Sequence, residues 1–208
     1  MRLRYTVPNG HRANRDSGGR RDRALRRPIL HLATQIAAEE LVAIVLIGGG
    51  ARSGKSRYAL ELARRRGGRL AFLATAEALD PEMQARVARH RAERGPEFTT
   101  IEEPLEIARA IRAIQADTIV VDCLTLWLSN VMLSFGRNAD AESEELVAAI
   151  QSIPAAVILV TNEVGCGIVP ESTLGRDFRD QAGILNQRVA AVADEVYWMV
   201  FGHPLRVN

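Results

Sequence analysis

Short apolar runs alternate with longer amphipathic stretches from residue 41 to the end of the chain. Uninterrupted apolar runs of this length are typical of buried strands in a parallel sheet. The predicted strands are Ala43–Ile47, Leu70–Ala74, Thr118–Val121, Ala156–Val160 and Glu195–Val200. A turn at Gly202-His203-Pro204 then predicts a last strand at Leu205–Val207, antiparallel to the one before it.

The stretches between these strands carry helical patterns. They are Ser56–Arg66, Pro81–Arg94, Pro104–Gln115, Glu142–Ser152 and Arg176–Ala193. The second of them begins at Pro81 behind a capping Asp80, which is a typical helix start. Repeated strand–helix units predict an α/β fold, a mostly parallel sheet with helices on both faces.

Residues 1–40 differ from the rest in composition. They hold nine arginines against four acids, which leaves 18 basic and 21 acidic residues in 41–208. We expect 1–40 to be a disordered basic arm, or sequence upstream of the true start, and 41–208 to be one domain. An arm that contacts nucleic acid or membrane is the alternative. Because the body is slightly acidic, we expect no nucleic-acid partner for it.

Bulk features place the chain among cytoplasmic enzymes. The longest apolar run, Leu41–Ile47, is too short to span a membrane, and the arginine-rich start lacks the apolar core of a signal peptide. The two cysteines, Cys123 and Cys166, form neither a disulfide framework nor a metal-ligand pattern. We therefore expect a reducing cytoplasm and no membrane partner.

The segment between the first strand and the first helix matches G-x-x-x-x-G-K-[ST], a phosphate-binding P-loop. Its residues are Gly49, Gly50, Ala51, Arg52, Ser53, Gly54, Lys55 and Ser56. The glycines let backbone N–H groups face an anion, and the helix N-terminus adds positive potential. Lys55 is the only lysine among 27 basic residues. Its compact ammonium group, unlike a guanidinium, fits between the phosphates expected at this position.

Metal binding is predicted from two oxygen-bearing side chains. Ser56 follows the P-loop lysine, and Asp122 comes directly after the apolar run Thr118–Val121. In P-loop enzymes these positions hold Mg²⁺ together with the phosphates of ATP or GTP. We expect Mg²⁺ to arrive with the nucleotide and no tightly bound cofactor; a turn-forming or capping aspartate is the alternative for Asp122.

Three further segments are candidates for nucleotide contacts. Ala74, Thr75 and Ala76 end the second strand, where α/β sheets bind ligands. Glu102 lies two residues before Pro104, where a helix-start acid is one interpretation. His90 shares a predicted helix face with Arg86 and Arg94, where it is a phosphoryl-accepting nucleophile or an incidental residue of a solvated helix.

Five motifs in order resemble a known family. They are Gly49–Ser56; Asp80-Pro-Glu-Met83 with Arg86-x-x-x-His90-Arg; Asp122-Cys-Leu-Thr-Leu-Trp127; Thr161-Asn-Glu-Val-Gly165 with Gly167-Ile-Val-Pro-Glu171; and Phe178-Arg-Asp180 with Gly183 and Asn186-Gln187. This set resembles the bifunctional adenosylcobinamide kinase / adenosylcobinamide-phosphate guanylyltransferase family of cobalamin biosynthesis. The resemblance covers roughly residues 43–208 and excludes the arm.

The resemblance implies a RecA-like P-loop enzyme with two activities. It would phosphorylate the corrinoid adenosylcobinamide with ATP or GTP, then transfer GMP from GTP to the new phosphate by way of a guanylylated histidine. By motif that histidine is His90. The nucleotide contacts implied beside it are Arg91, Ala92, Glu93 and Arg94. The resemblance also implies that Glu102 accepts the N1–H and N2–H₂ groups of guanine. A homotrimer is implied in the same way.

Two other interpretations fit the P-loop alone. One is a single-activity P-loop kinase of another small alcohol, which would form no covalent GMP adduct. The other is a RecA-like nucleotide-switch subunit, which would bind nucleotide without turnover.

Overall fold

A computed structural model describes residues 44–77 and 94–208. Within these ranges the strands are β1 (Ile44–Gly49), β2 (Leu70–Ala74), β3 (Phe98–Glu102), β4 (Thr118–Asp122), β5 (Ala156–Val160), β6 (Glu195–Val200) and β7 (His203–Arg206). The helices are α1 (Lys55–Arg66), α2 (Ile107–Ala113), α3 (Leu124–Leu133), α4 (Ala139–Ser152) and α5 (Thr173–Val192). The expected arm at 1–40 and residues 81–93 of the expected second helix lie outside the described residues.

The described strands form one sheet in the order β3-β2-β4-β5-β1-β6-β7. Every neighbouring pair is parallel except β6 and β7, which are antiparallel. Strand β5 lies between β1, which leads into the P-loop, and β4, which ends at Asp122. The predicted fold class, including the antiparallel last strand, is confirmed.

Helices cover both faces of the sheet, as the sequence pattern predicts. Successive strand residues point to opposite faces, so Val45 and Ile47 belong to the core cluster that includes residues of α1, whereas Ile44 and Leu46 belong to the cluster that includes residues of the four other described helices. This double covering explains why the strands are apolar without interruption. None of the described helices is long and apolar enough to cross a membrane.

Two elements, β3 and α3, are absent from the sequence prediction. β3 is the edge strand of the described sheet and pairs only with β2 there, so only part of it is buried. α3 is buried over most of its surface and therefore lacks the one-sided stripe of an amphipathic helix. Helix α4 begins three residues before its predicted start, because Asn138 caps the N–H groups of Asp140 and Ala141.

The parallel arrangement gathers the candidate site along one edge. The carboxyl ends of β3, β2, β4, β5 and β1 follow one another there, so Glu102, Ala74, Asp122, Val160 and Gly49 lie on successive neighbouring strands. Ligands of open α/β sheets bind outside these strand ends.

Candidate nucleotide-binding site

The P-loop joins β1 to α1 through a backbone that glycine permits. Gly54 precedes the helix with φ of 95°, in the left-handed region. Gly49 has φ of 146°, and a Cβ added there would lie 3.0 Å from the carbonyl oxygen of Met199 on β6. The loop thus needs glycine at Gly54 for its backbone conformation, and at Gly49 both for conformation and because a side chain would contact β6.

Lys55 is held inside this loop. Its Nζ donates to the Gly50 carbonyl oxygen at 2.6 Å and to Ser53 Oγ at 3.4 Å, and the residue is 6% exposed. The first turn of α1 contains no acidic residue, so the positive potential of the helix N-terminus is not cancelled locally. The loop therefore combines a buried cation with helix N–H groups, an arrangement suited to the phosphates of a nucleotide.

Ser56 and Asp122 are the two oxygen donors expected to bind a metal ion. Ser56 is the second residue of α1 and Asp122 ends β4, and both are half-buried. Asp122 is paired with Val160 of β5, which in turn is paired with Ile47 of β1. In the described part of the chain no group of three or more His, Cys, Asp or Glu residues could hold a metal by itself. Two oxygens fit an ion that is otherwise ligated by substrate phosphates and water, which is typical of Mg²⁺.

Thr75, which directly follows β2, links this strand to the chain after β4 by hydrogen bonds. Its hydroxyl donates to the Cys123 carbonyl oxygen and accepts from the Cys123 N–H, both at 2.8 Å, and the residue is fully buried. Its backbone N–H donates to the Asp122 carbonyl oxygen at 3.2 Å. The polar groups of Thr75 thus join β2 to the chain just after Asp122. Direct nucleotide contacts from Thr75, Ala74 and Ala76 stay predictions.

Cys123 lies beside the candidate metal ligand but is unsuited to nucleophilic chemistry. Burial is the main cause that raises the pKa of the Cys123 thiol to about 11, and the negative charge of Asp122 is the second. The thiol is therefore protonated at neutral pH, and a protonated thiol is a weak nucleophile.

The candidate guanine acceptor ends the edge strand β3. Glu102 is exposed and lies beside Ala74 in the strand register. The turn that leads to α2 is held by its neighbour, because Glu103 Oε1 accepts from the N–H groups of Leu105 at 3.0 Å and Glu106 at 2.9 Å. Guanine recognition by Glu102 stays a prediction.

The other candidates around His90 divide between described and undescribed residues. His90, Arg91, Ala92 and Glu93 lie outside the described residues. Arg94 is buried, and its guanidinium stacks over the Phe72 ring at 3.8 Å on the face that α1 covers. Its carbonyl oxygen accepts from Arg64 of α1 at 2.7 Å. The structure shows packing for Arg94, and its nucleotide contact stays a prediction.

The loop after β5 contains a polar network whose individual contacts sequence reasoning missed. The Glu163 N–H donates to the Gly49 carbonyl oxygen at 3.2 Å, which joins this loop to the P-loop. Thr125 Oγ1 accepts from the Asn162 N–H at 2.7 Å and from Asn162 Nδ2 at 3.3 Å. The loop is thereby tied both to the phosphate site and to the helix that follows Asp122. The motif around Thr161–Gly165 gave the only sequence signal, because partners far apart in the chain are not visible in a local pattern.

Comparison with known proteins agrees with this arrangement. Residues 45–207 match the CobU family, described as cobinamide kinase / cobinamide phosphate guanyltransferase. The chain belongs to this family. Relatives include the bifunctional adenosylcobalamin biosynthesis protein CobP of Pseudomonas aeruginosa, 44% identical over 163 residues that cover 77% of this chain and 94% of the relative. CobU of Escherichia coli, a bifunctional adenosylcobalamin biosynthesis protein, is 39% identical over 181 residues, and the match covers 79% of this chain and 99% of the relative.

Membership of the CobU family confirms the resemblance inferred from the five motifs. It also separates the interpretations of the P-loop. The family description and the word "bifunctional" in the relatives' names favour a two-step enzyme over a single-activity kinase or a nucleotide-switch subunit.

Proposed function

We propose that this chain phosphorylates adenosylcobinamide with ATP or GTP, then transfers GMP from GTP to adenosylcobinamide phosphate, giving adenosylcobinamide-GDP and pyrophosphate. The observation that carries the proposal is the P-loop with its buried Lys55, which lies along one sheet edge with Asp122 and Glu102 in a member of the CobU family. Both steps are displacements at phosphorus, so one phosphate-binding edge can serve both.

In the kinase step the alcohol oxygen of the corrinoid attacks the γ-phosphorus, the bond to the β-γ bridging oxygen breaks, and the nucleoside diphosphate leaves. Lys55 and the N–H groups at the start of α1 bind and orient the phosphates. Ser56 and Asp122 would hold Mg²⁺, which neutralises charge on the phosphate oxygens when it is bound.

In the guanylyl step a nitrogen of the His90 imidazole attacks the α-phosphorus of GTP and pyrophosphate leaves. A phosphate oxygen of adenosylcobinamide phosphate then attacks the same phosphorus, and the P–N bond breaks to restore the imidazole. A covalent relay of this kind divides one transfer into two steps. His90 belongs to the connection between β2 and β3, whose first residues, Thr75–Glu77, follow the carboxyl end of β2.

The positions of the strand ends suggest how GTP lies along the edge. Gly49 on β1 and Glu102 on β3 are separated by four strand spacings, because β5, β4 and β2 lie between them. At about 4.8 Å each, these spacings amount to roughly 19 Å. An extended nucleoside triphosphate, with the side chains at each end, can bridge such a span with its phosphates at the P-loop and its base near Glu102.

The remaining parts of the proposal rest on family membership and composition. A homotrimer is the proposed assembly, and the cytoplasm, where both cysteines would stay reduced, is the proposed compartment. The proposed partner is the corrinoid substrate itself, with no nucleic acid or membrane involved.

The experiment that tests the function follows two labelled phosphates into one product. Adenosylcobinamide is incubated with the protein, Mg²⁺ and GTP that carries label at either the α- or the γ-phosphate. The account predicts both labels in the corrinoid product, because the γ-phosphoryl group becomes the phosphate to which GMP is added. It also predicts one pyrophosphate for each molecule of adenosylcobinamide-GDP.

Other outcomes separate the alternatives. A product that carries γ-label only, without pyrophosphate, identifies a single-activity kinase. Nucleotide binding without transfer of either label identifies a nucleotide-switch subunit.

A further inference from the structure

Asn130 of α3 bridges two loops at the candidate base-binding end of the sheet. Its Nδ2 donates to the Thr75 carbonyl oxygen at 2.9 Å and to the Pro104 carbonyl oxygen at 3.1 Å. Thr75 follows β2, and Pro104 follows β3 two residues after Glu102. A single amide nitrogen with two hydrogens can satisfy both carbonyls at once.

The bridge acts at an edge of the described sheet. β3 pairs only with β2 among the described strands, and an edge strand held from one side is prone to local opening. Between its last residue and α2 the chain is held by polar contacts to other elements. The Glu103 N–H donates to the Ala74 carbonyl oxygen at 3.0 Å, Trp127 Nε1 donates to the Leu105 carbonyl oxygen at 2.8 Å, and Asn130 donates to that of Pro104. Arg137 also pairs with Glu106.

Helix α3 supplies two of these contacts from one face. Trp127 and Asn130 are three residues apart, a spacing that places both side chains on the same side of a helix. The Trp127 ring is buried in the core, so the helix itself is fixed. Asn130 is only half-buried, and its two hydrogen bonds add a side-chain link between the chain after β2 and the chain after β3.

We propose that Asn130 is a positioning residue for guanine recognition: by bridging Thr75 and Pro104 it holds Glu102 where its carboxylate can accept from the N1–H and N2–H₂ groups of guanine. This inference rests on the proposed function. Asn130 contacts neither substrate nor reacting atoms. It acts through the position of Glu102, and small displacements of a binding group are costly to recognition.

The test measures base selectivity rather than activity alone. ITP lacks the 2-amino group of GTP, so the ratio of kcat/KM for GTP to that for ITP in enzyme guanylylation reports the contact to that group. We expect Asn130→Ala to lower this ratio by about tenfold, which corresponds to the loss of one well-placed hydrogen bond. The matched control is Asn138→Ala, which also removes an asparagine that makes two hydrogen bonds, at the start of α4. It should leave the ratio unchanged.

A double-mutant cycle with Glu102→Gln shows whether Asn130 acts through Glu102. Glu102→Gln should lower the ratio by itself, and adding Asn130→Ala should then lower it little further. An unchanged GTP/ITP ratio in Asn130→Ala, or equal losses in Asn130→Ala and Asn138→Ala, overturns the inference. So does full additivity in the double variant. Failure of the proposed function can be told apart from failure of this inference, because the wild-type protein would then form no GMP adduct at all.

Discussion

Lys55 Nζ donates to the carbonyl oxygen of Gly50 at 2.6 Å, from within the loop that the two residues share. The ammonium group is thus held inside the P-loop, where the residue is only 6% exposed. A cation positioned in this way binds phosphate without a large loss of side-chain freedom, since much of that freedom is already lost.

Lys55→Ala should abolish triphosphate binding and with it both activities, because the buried cation of the loop is removed. Titration calorimetry with GTP measures the effect directly. Arg65→Ala is the matched control, since Arg65 is an exposed cation in the last turn of the same helix. Unchanged GTP affinity in Lys55→Ala would remove the basis for the P-loop assignment.

Asp122→Asn should reduce both transfer activities by about 100-fold, because the metal that neutralises phosphate charge is held less well. Raising the Mg²⁺ concentration should recover part of the loss, which is measured by titrating the metal at fixed GTP.

Asp117→Asn is the control for that variant. Asp117 immediately precedes β4, at the end opposite Asp122, and pairs with Arg69 at the surface at 3.2 Å. Its substitution should leave the Mg²⁺ dependence as in the wild type. If the two variants have the same Mg²⁺ dependence, Asp122 is not a metal ligand.

The two cysteines should differ in their reactivity towards thiol reagents, because one is exposed and the other is buried. Cys166 is exposed, whereas Cys123 is buried with its pKa raised to about 11. An aromatic disulfide reagent at pH 8 should titrate one thiol in the native protein and two in denaturant. Two fast thiols in the native state would contradict the burial of Cys123, and none in denaturant would contradict the proposed reducing compartment.

Stability should decline in alkali partly because of Cys123. Below the ordinary thiol pKa of 9.0 both the folded and the unfolded chain keep the Cys123 proton, so the contribution of this protonated thiol to the free energy of unfolding is fully present. Between that value and about 11 only the unfolded chain loses it, so the free energy of unfolding falls as pH rises, by about 2–3 kcal/mol in all. Denaturant titrations should show a smaller decline in Cys123→Ala; an identical decline would mean that the thiol does not contribute.

Local patterns predicted the fold and located the P-loop motif because both signals are local in the sequence; the contacts of the predicted site residues stay predictions. The P-loop residues are contiguous, and strands buried on both faces are apolar without interruption. Strand β3 was missed because only Phe98 of its five residues is buried. Asn130 could not be found in this way, since its partners Thr75 and Pro104 are 55 and 26 residues away in the sequence.

The account's central claim is that GMP is carried on His90, and the covalent adduct is its most direct test. A histidine adduct has a P–N bond, which is labile in acid and comparatively stable in base, the reverse of an acyl phosphate. GTP labelled at the α-phosphate should therefore tag the wild-type protein in the presence of Mg²⁺, whereas label at the γ-phosphate should not. The tag should be lost in mild acid and survive mild alkali.

Two histidine variants complete that measurement. His203 is the other histidine within residues 41–208 and lies exposed on β7, so His203→Ala should label as the wild type does. His90→Ala should lose the tag and keep much of the kinase activity, because γ-phosphoryl transfer to an alcohol needs no covalent relay. A fully labelled His90→Ala protein, or an adduct stable in acid and labile in alkali, would contradict the claim.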